Sequence, residues 1–359
     1  MSVYDVARRA GVSAATASRV LSGSPYPVRP TTRERVLVAA AELEFRPNML
    51  ARALVTARTH TIGAIVHDIS DPYFGEIVRG LEDAARLRGY QVFVCSSDRD
   101  AARELEYVQS LLDRRVDGVV FAGGGIEDRA YKADLRRLLD AFRGRGGTVV
   151  RLSPHSYRTP SVQPDNRGGA KAMTRHLLAL GHRLIAFIGG PPQLTTSAVR
   201  YAGHEEALEE AGMRPAPELN EPGGFTIAGG AKAMATLLDR CPELTAVFAA
   251  NDMMAFGALH ELQRRGATVP DDVSVAGFDD IYIAAHAHPP LTTVRVPMYE
   301  MGRQGAVLAL DLLDGRRARS LRLPTVVVER ASVGPPRGQR GAKGVPKPQR
   351  KVDKEALRE

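Results

Sequence analysis

The chain has 359 residues, 44% of them hydrophobic and 25% charged, the balance of a globular protein long enough to bury a core without disulfide or metal staples. No apolar run approaches the roughly 18 residues of a membrane span, and Met1-Ser2-Val3-Tyr4-Asp5 lacks the apolar core of a signal peptide. A cytoplasmic protein with no membrane contact is therefore expected. The net charge of +8 is concentrated at the ends. Residues 1–60 hold nine Lys/Arg against four Asp/Glu, and residues 335–359 hold eight against three, so each end carries +5 and the body between carries −2. Basic ends on a nearly neutral body point to nucleic-acid contact by the ends, with simple solubilisation as the alternative. Cys95 and Cys241 show no metal-like or redox-like spacing and read as inert thiols in apolar surroundings.

Three short helices are predicted first. Ser2 with Asp5 resembles a capping box, and Val6, Ala7 and Ala10 share one face. Gly11 supplies a left-handed turn. Ser13 then caps a second helix with Ala17, Val20 and Leu21 inward. A Ser/Gly/Pro-rich loop (22–30) leads to a third helix, with Pro30 at its first position and Val36, Ala39, Ala40 and Leu43 as its stripe. Pro47 ends that helix. The segment 49–56 that follows is about two turns long, too short to nucleate a helix unaided, so it reads as a linker that becomes helical only when held. From Thr61 the pattern changes to strand–helix alternation. Apolar runs at 62–66, 91–94, 118–122, 148–152, 184–188, 246–249 and 273–276 are separated by amphipathic stretches ending in glycine, at Gly89, Gly181, Gly212 and Gly266. This is the pattern of parallel sheets covered by helices on both faces, and seven or more such units require two similar lobes. After Gly334 the chain is basic and poor in apolar residues, and disorder is expected.

The segment from Tyr4 to Ser22 has helix-turn-helix spacing. A turn fixed at Gly11 and a shared core of Val6, Ala10, Val12, Ala17 and Val20 would present the second helix as a rod to the major groove. Arg19 can pair in bidentate fashion with a guanine, and Ser13, Thr16 and Ser18 suit phosphates.

Val6-Ala7-x-x-Ala10-Gly11-Val12-Ser13 followed by Thr16-x-Ser18-Arg19-Val20-Leu21 resembles the N-terminal signature of the lactose/galactose-repressor (LacI/GalR) family. Thr32-Arg33-Glu34-Arg35-Val36 and Phe45-Arg46-Pro47-Asn48 resemble its third helix and the start of its hinge, and the likeness runs through Gly334. The resemblance implies a helix-turn-helix head joined to a two-lobe body like the periplasmic binding proteins, with doubly wound parallel sheets. It divides the chain into a DNA-binding head (1–45), a hinge (46–58), a core (59–334) and a basic disordered tail (335–359). One lobe of the core is expected to comprise 59–161 plus 292–322, the other 162–291 plus 323–334. By the same resemblance Ala14, Ala15 and Arg19 would face bases, while Tyr4, Ser13, Thr16, Ser18 and Asn48 would contact the backbone. Leu54, with Ala51 beside it, would wedge into the minor groove at the centre of a palindrome. Ala14 and Ala15 replace larger polar residues and leave only apolar contact, and Arg29 stands where a capping Ser is common.

In a two-lobe sheet protein, ligands bind between the lobes at the carboxyl ends of strands. Asp165-Asn166, Asn251-Asp252 and Asp279-Asp280 fall at such ends, Arg200 joins them, and Tyr73, Phe74 and Phe225 could stack on a ring. The resemblance implies that Tyr73, Phe74, Asp165, Arg200, Phe225, Asn251 and Asp279 line an effector pocket. Asn251 and Asp279 also read as helix caps, and Tyr73 and Phe74 as ordinary packing. Leu194 stands where purine-binding members carry a basic residue, so a sugar or sugar derivative is the default effector.

No competing chemistry stands out. There is no Gly-x-Ser-x-Gly elbow or Cys/His cluster. Gly224–Lys232 misses the Gly-Lys-Ser/Thr of a phosphate loop, and His286-x-His288 lies in a Pro-rich loop. The expectation is a non-enzymatic transcriptional regulator without cofactor or metal, a homodimer that binds a palindromic operator on double-stranded DNA and so associates with the nucleoid. An exported sugar-binding protein would need a signal and no head, and an α/β enzyme would need a catalytic constellation.

Overall fold

Three helices open the chain: α1 (Val3–Ala10), α2 (Ala14–Leu21) and α3 (Pro30–Glu42). In the computed structural model, which describes residues 1–21, 26–45 and 58–337, the backbone N–H and the hydroxyl of Ser2 both donate to Asp5 Oδ2 at 2.9 Å. Gly11, at φ +62°, ends α1 in the left-handed conformation expected of it. Arg29 sits at the N-cap of α3 without a side-chain hydrogen bond. The core between these helices is small, with Val6, Ala10, Ala17, Val20 and Val36 buried. Arg9 of α1 donates to Glu42 of α3 at 2.7 Å, and Arg35 donates to the Gly11 carbonyl at 3.1 Å, so α3 braces both α1 and the turn.

Two parallel sheets follow, built to one plan. The first contains β1 (Thr61–Val66), β2 (Gln91–Ser96), β3 (Gly118–Phe121) and β4 (Thr148–Arg151), in the order β2-β1-β3-β4. It is wound with α4 (Pro72–Leu87), α5 (Ala101–Asp113) and α6 (Arg129–Gly144). The short β5 (Val162–Pro164) carries the chain to the second lobe, where α7 (Asn166–Ala179), β6 (Ile185–Gly189), α8 (Thr195–Glu210), β7 (Asn220–Pro222), α9 (Ile227–Arg240), β8 (Ala246–Ala249), α10 (Asp252–Arg264) and β9 (Ser274–Ala276) repeat the pattern. The second sheet runs β7-β6-β8-β9, the same order shifted by five strands. Its central strands β6 and β8 are buried along their whole length, as strands covered on both faces must be.

After β9 the chain recrosses through β10 (Thr293–Arg295) into α11 (Met298–Leu313), then returns through β11 (Leu321–Leu323) and β12 (Val326–Val328). Strand β11 pairs with β5, and β12 pairs antiparallel with β10, so the crossing segments brace one another. Helix α11 belongs to the first lobe and lies backbone-to-backbone on α4. A Cβ at Gly302 would stand 1.8 Å from the Ile77 carbonyl oxygen, and one at Gly80 would stand 2.0 Å from that of Tyr299, so only glycine permits this contact.

Candidate functional site

The head offers one polar helix face. Ser13 caps α2, accepting the Thr16 N–H at 3.1 Å and sharing a 2.9 Å hydrogen bond with the Thr16 hydroxyl. With Ala17 and Val20 buried, Ser13, Ala15, Ser18 and Arg19 are left exposed, and Ala14 and Thr16 half-buried. The Arg19 guanidinium lies 5.4 Å from the centre of the Tyr26 ring. Tyr4 is 69% exposed at the start of α1. Asn48, Ala51 and Leu54 lie outside the described residues.

The second site is a cavity where the carboxyl ends of both sheets meet. It brings together Tyr73 and Phe74 from the first lobe with Arg200, Phe225, Asn251 and Asp279 from the second. Asp165 does not line it. Its carboxylate instead caps α7 through the Gly168 N–H at 3.2 Å and stands 3.5 Å from Arg322. The neighbouring Asn166 faces inward and accepts from Arg200. Leu194, whose position the sequence reading tied to the effector, lines the cavity too, as do His67, Asp71, Arg99, Ser153 and Thr196, which that reading did not select. The first signal for His67 was its place directly after the apolar run 62–66, at a strand's carboxyl end.

Tyr73 and Phe74 pack edge-to-face at 5.0 Å, and Phe74 meets His67 the same way at 5.7 Å. Burial holds the His67 imidazole down at about 4, so the ring is neutral at pH 7, and its Nε2 lies 3.0 Å from the Gly124 carbonyl oxygen. Asn251 caps α10 through the Met254 N–H at 2.9 Å while lining the cavity, so the cap and pocket readings hold together. Asp279, at φ +116°, is buried, and burial pushes its carboxyl up to about 7 against the opposing pull of Arg200. Its Oδ1 is ion-paired with Arg200 Nη2 at 2.9 Å. The adjacent Asp280 and Asp252 have structural work. Asp280 pairs with Arg295 and Arg330 at 2.7 and 2.6 Å, and Asp252 accepts from Thr293 and the Ile281 N–H.

One wall of the cavity is a strap between the lobes. Ile126, after β3, bridges antiparallel to Leu194, before α8. The Glu127 N–H donates to the Gln193 carbonyl at 2.9 Å, the Thr195 N–H donates to the Gly125 carbonyl at 3.1 Å, and the Thr195 hydroxyl donates to the Pro154 carbonyl at 2.6 Å. Leu194 itself, 1% exposed, is seated in the hydrophobic core of the first lobe beside Ile126, Tyr131 and Leu135. The strapped cavity leaves about 40 Å³ for its contents, room for about three waters by the usual measure of about 10–15 Å³ each.

Comparison with known proteins gives a family match at both sites. Residues 2–48 match the model for bacterial regulatory proteins of the lacI family, and residues 174–333 match a periplasmic binding protein-like domain. The chain is 36% identical over 333 residues to the HTH-type transcriptional regulator RegA of Clostridium saccharobutylicum, covering 91% of this chain and 96% of that protein. Among solved structures, the regulator CelR in complex with cellobiose superposes with a TM-score of 0.69 at 35% identity, covering 92% of this chain and 99% of CelR. The lac repressor dimer bound to operator and the anti-inducer ONPF superposes with a TM-score of 0.80 at 28% identity, covering 93% and 99%.

Proposed function

The chain belongs to the LacI family of DNA-binding transcriptional regulators, and from that premise we propose that it is a repressor acting as a homodimer on a palindromic operator, released or recruited by a small hydroxylated effector in the inter-lobe cleft. The observation that carries the reading is the union in one chain of an exposed Ser13/Ser18/Arg19 face with a cleft where eleven polar and aromatic side chains of both lobes converge. Ala15 and Arg19 would read bases, Ala14 would offer apolar contact, and Tyr4, Ser13, Thr16, Ser18 and Asn48 would hold the backbone. Leu54 and Ala51 would enter the minor groove.

The dimer reading is supported by β2. It is an edge strand of six residues, Gln-Val-Phe-Val-Cys-Ser, none of them buried, with Phe93 46% and Val94 37% exposed. A long apolar edge of this kind needs a cover, and a second copy provides one by symmetry. Two heads would then meet matching half-sites.

The effector reading rests on the cleft chemistry. The Asp279 carboxyl, ion-paired with Arg200, lines the cavity with acceptor capacity left for a ligand hydroxyl, and Phe74, Tyr73 and Phe225 offer faces for a ring. A sugar needs several-fold more space than the strapped cavity holds, so its arrival requires the lobes to part. That movement is the proposed signal, and coupling of this kind is typically about 1–3 kcal/mol and reciprocal between effector and DNA. The division into head (1–45), hinge (46–58), core (59–334) and tail (335–359) belongs to the same proposal, as do a cytoplasmic location and the absence of a catalytic step. Among the described residues no helix is long and apolar enough to cross a membrane.

The test is selection of bound duplexes from a random pool by the full chain, with Leu54→Ala as control. Enrichment of a palindrome, weakened in the control, is expected. Failure to enrich any sequence, alone and with pooled sugars present, overturns the reading.

A further inference from the structure

The cleft holds two arginines, and they are not equivalent. Arg200 is fully engaged by the protein. Its Nε donates to Asn166 Oδ1 at 2.9 Å, Nη1 to the Ala250 carbonyl at 2.5 Å, and Nη2 stands 2.9 Å from Asp279, while the guanidinium lies 3.8 Å from the centre of the Phe278 ring. A residue so occupied shapes the pocket floor and has few donors left for a ligand.

Arg99 is the opposite case. It follows β2 on a turn where both Asp98 and Arg99 adopt left-handed backbone, at φ +51° and +63°, a conformation side chains with a Cβ rarely take. That turn brings its side chain into the cavity, across from Phe225 of the other lobe, whose ring centre is 6.0 Å from the guanidinium. Its Nε is buried and has no hydrogen-bond partner. Among the described residues no carboxylate oxygen comes within 4.0 Å of its nitrogens. Asp71 lines the same space, but its own carboxyl is pushed up by burial, and its Oδ1 is committed to the Tyr73 N–H. A cation held in a cavity wall with an orphaned donor is complete only when something in the cavity answers it.

We propose that Arg99 is the effector-reading cation of this chain, and that the effector carries an oxyanion, a carboxylate or a phosphate, on its hydroxylated body. The proposal rests on the effector reading of the cleft given above. It narrows that reading from sugars in general to sugar acids or sugar phosphates. Asp279, held in place by Arg200, then meets a hydroxyl, and the fork of Arg99 takes the anion, the pairing for which guanidinium geometry is suited.

The probes are inorganic phosphate and acetate, titrated into the full chain at constant ionic strength, with melting temperature as the readout. Wild type, Arg99→Gln and Arg99→Lys are compared, so that anion binding by the basic head, common to all three, cancels. A saturable stabilisation by one of the two anions is expected in wild type, at least roughly tenfold weaker in Arg99→Gln and partly restored in Arg99→Lys. The anion that saturates names the group. Equal responses from wild type and Arg99→Gln with both anions overturn the proposal. Operator selection by the wild-type chain keeps the two readings apart: a palindrome enriched by a wild-type chain that shows no anion response removes the oxyanion and leaves the regulator standing.

Discussion

Replacing Leu194 by Ala should loosen the lobes without unfolding either. Leu194 grows from the second lobe, yet its side chain is buried in the core of the first. It is therefore hidden only while the cleft is strapped and exposed once the lobes part. Leucine to alanine removes three carbons, at about 0.8 kcal/mol each for burial, so the strapped form should lose about 2.4 kcal/mol relative to the open one. That is a shift of roughly 50-fold in the opening equilibrium. The Glu127 and Thr195 amides donate across the gap and report it directly by hydrogen exchange. Their protection should fall by that factor while amides of β3, inside the first sheet, keep theirs. Unchanged protection at Glu127 and Thr195 would refute the idea that Leu194 holds the lobes together. An equal loss at β3 would mean that the residue merely stabilises the first-lobe core.

Arg29→Ser should stabilise the head by about 1 kcal/mol by giving α3 the N-cap oxygen it lacks, visible as a higher melting transition for the head. Arg19→Ala should cost about 1–3 kcal/mol of operator affinity in fluorescence anisotropy at fixed salt; an equal loss on a scrambled duplex would make Arg19 a phosphate contact only. Two buried histidines should take stability away as pH drops from 6.5 toward 4. His67 and His204 are held at about 4 by burial, so the unfolded chain binds more protons across that window. Asp279, raised to about 7, acts in the opposite sense between its ordinary 3.8 and 7, since there the folded form binds the extra proton. Asp252 and Asp71, also raised by burial, act in the same sense as Asp279, so the histidine share is read by difference: in urea titrations across this pH range, His204→Asn should lose less stability than wild type as pH falls, and parallel curves would refute the reasoning.

Much of the head could be read directly because its signals are local. Ser2 with Asp5, Gly11, Ser13 and Pro30 each act within one turn of themselves. The sheets were legible because buried parallel strands write continuous apolar runs. Strands β5, β7, β10, β11 and β12 were not, since each is three residues long and no periodicity can build up over that length. The site residues divide along the same line. Asp165 and Asn251 both close a strand and cap the next helix, so their sequence signals are alike; only the packing turns Asn251 into the cavity and Asp165 out of it. Arg99 carries no motif, and the role proposed for it comes from a turn conformation and from the lack, among the described residues, of a carboxylate oxygen within 4.0 Å, both of which are three-dimensional facts. Leu194, at the position where purine-binding members carry a basic residue, lines the cavity as that reading implies, and only the packing shows that it is also seated in the first-lobe core.

Helix α11 works as a strut. At one end, Asp279 exchanges backbone hydrogen bonds with Val294 and Val296, two residues before the helix begins. At the other, Arg58 donates to the Leu313 carbonyl at 2.5 Å and pairs with Asp314 at 3.2 Å. The 16 residues between span about 24 Å, and the glycine contact with α4 keeps them from bending away from the first lobe. Arg58 directly follows the linker that carries the head. Under the proposed parting of the lobes, a displacement of Asp279 would therefore arrive at the linker as axial thrust along a single rigid member, with no need for either sheet to deform.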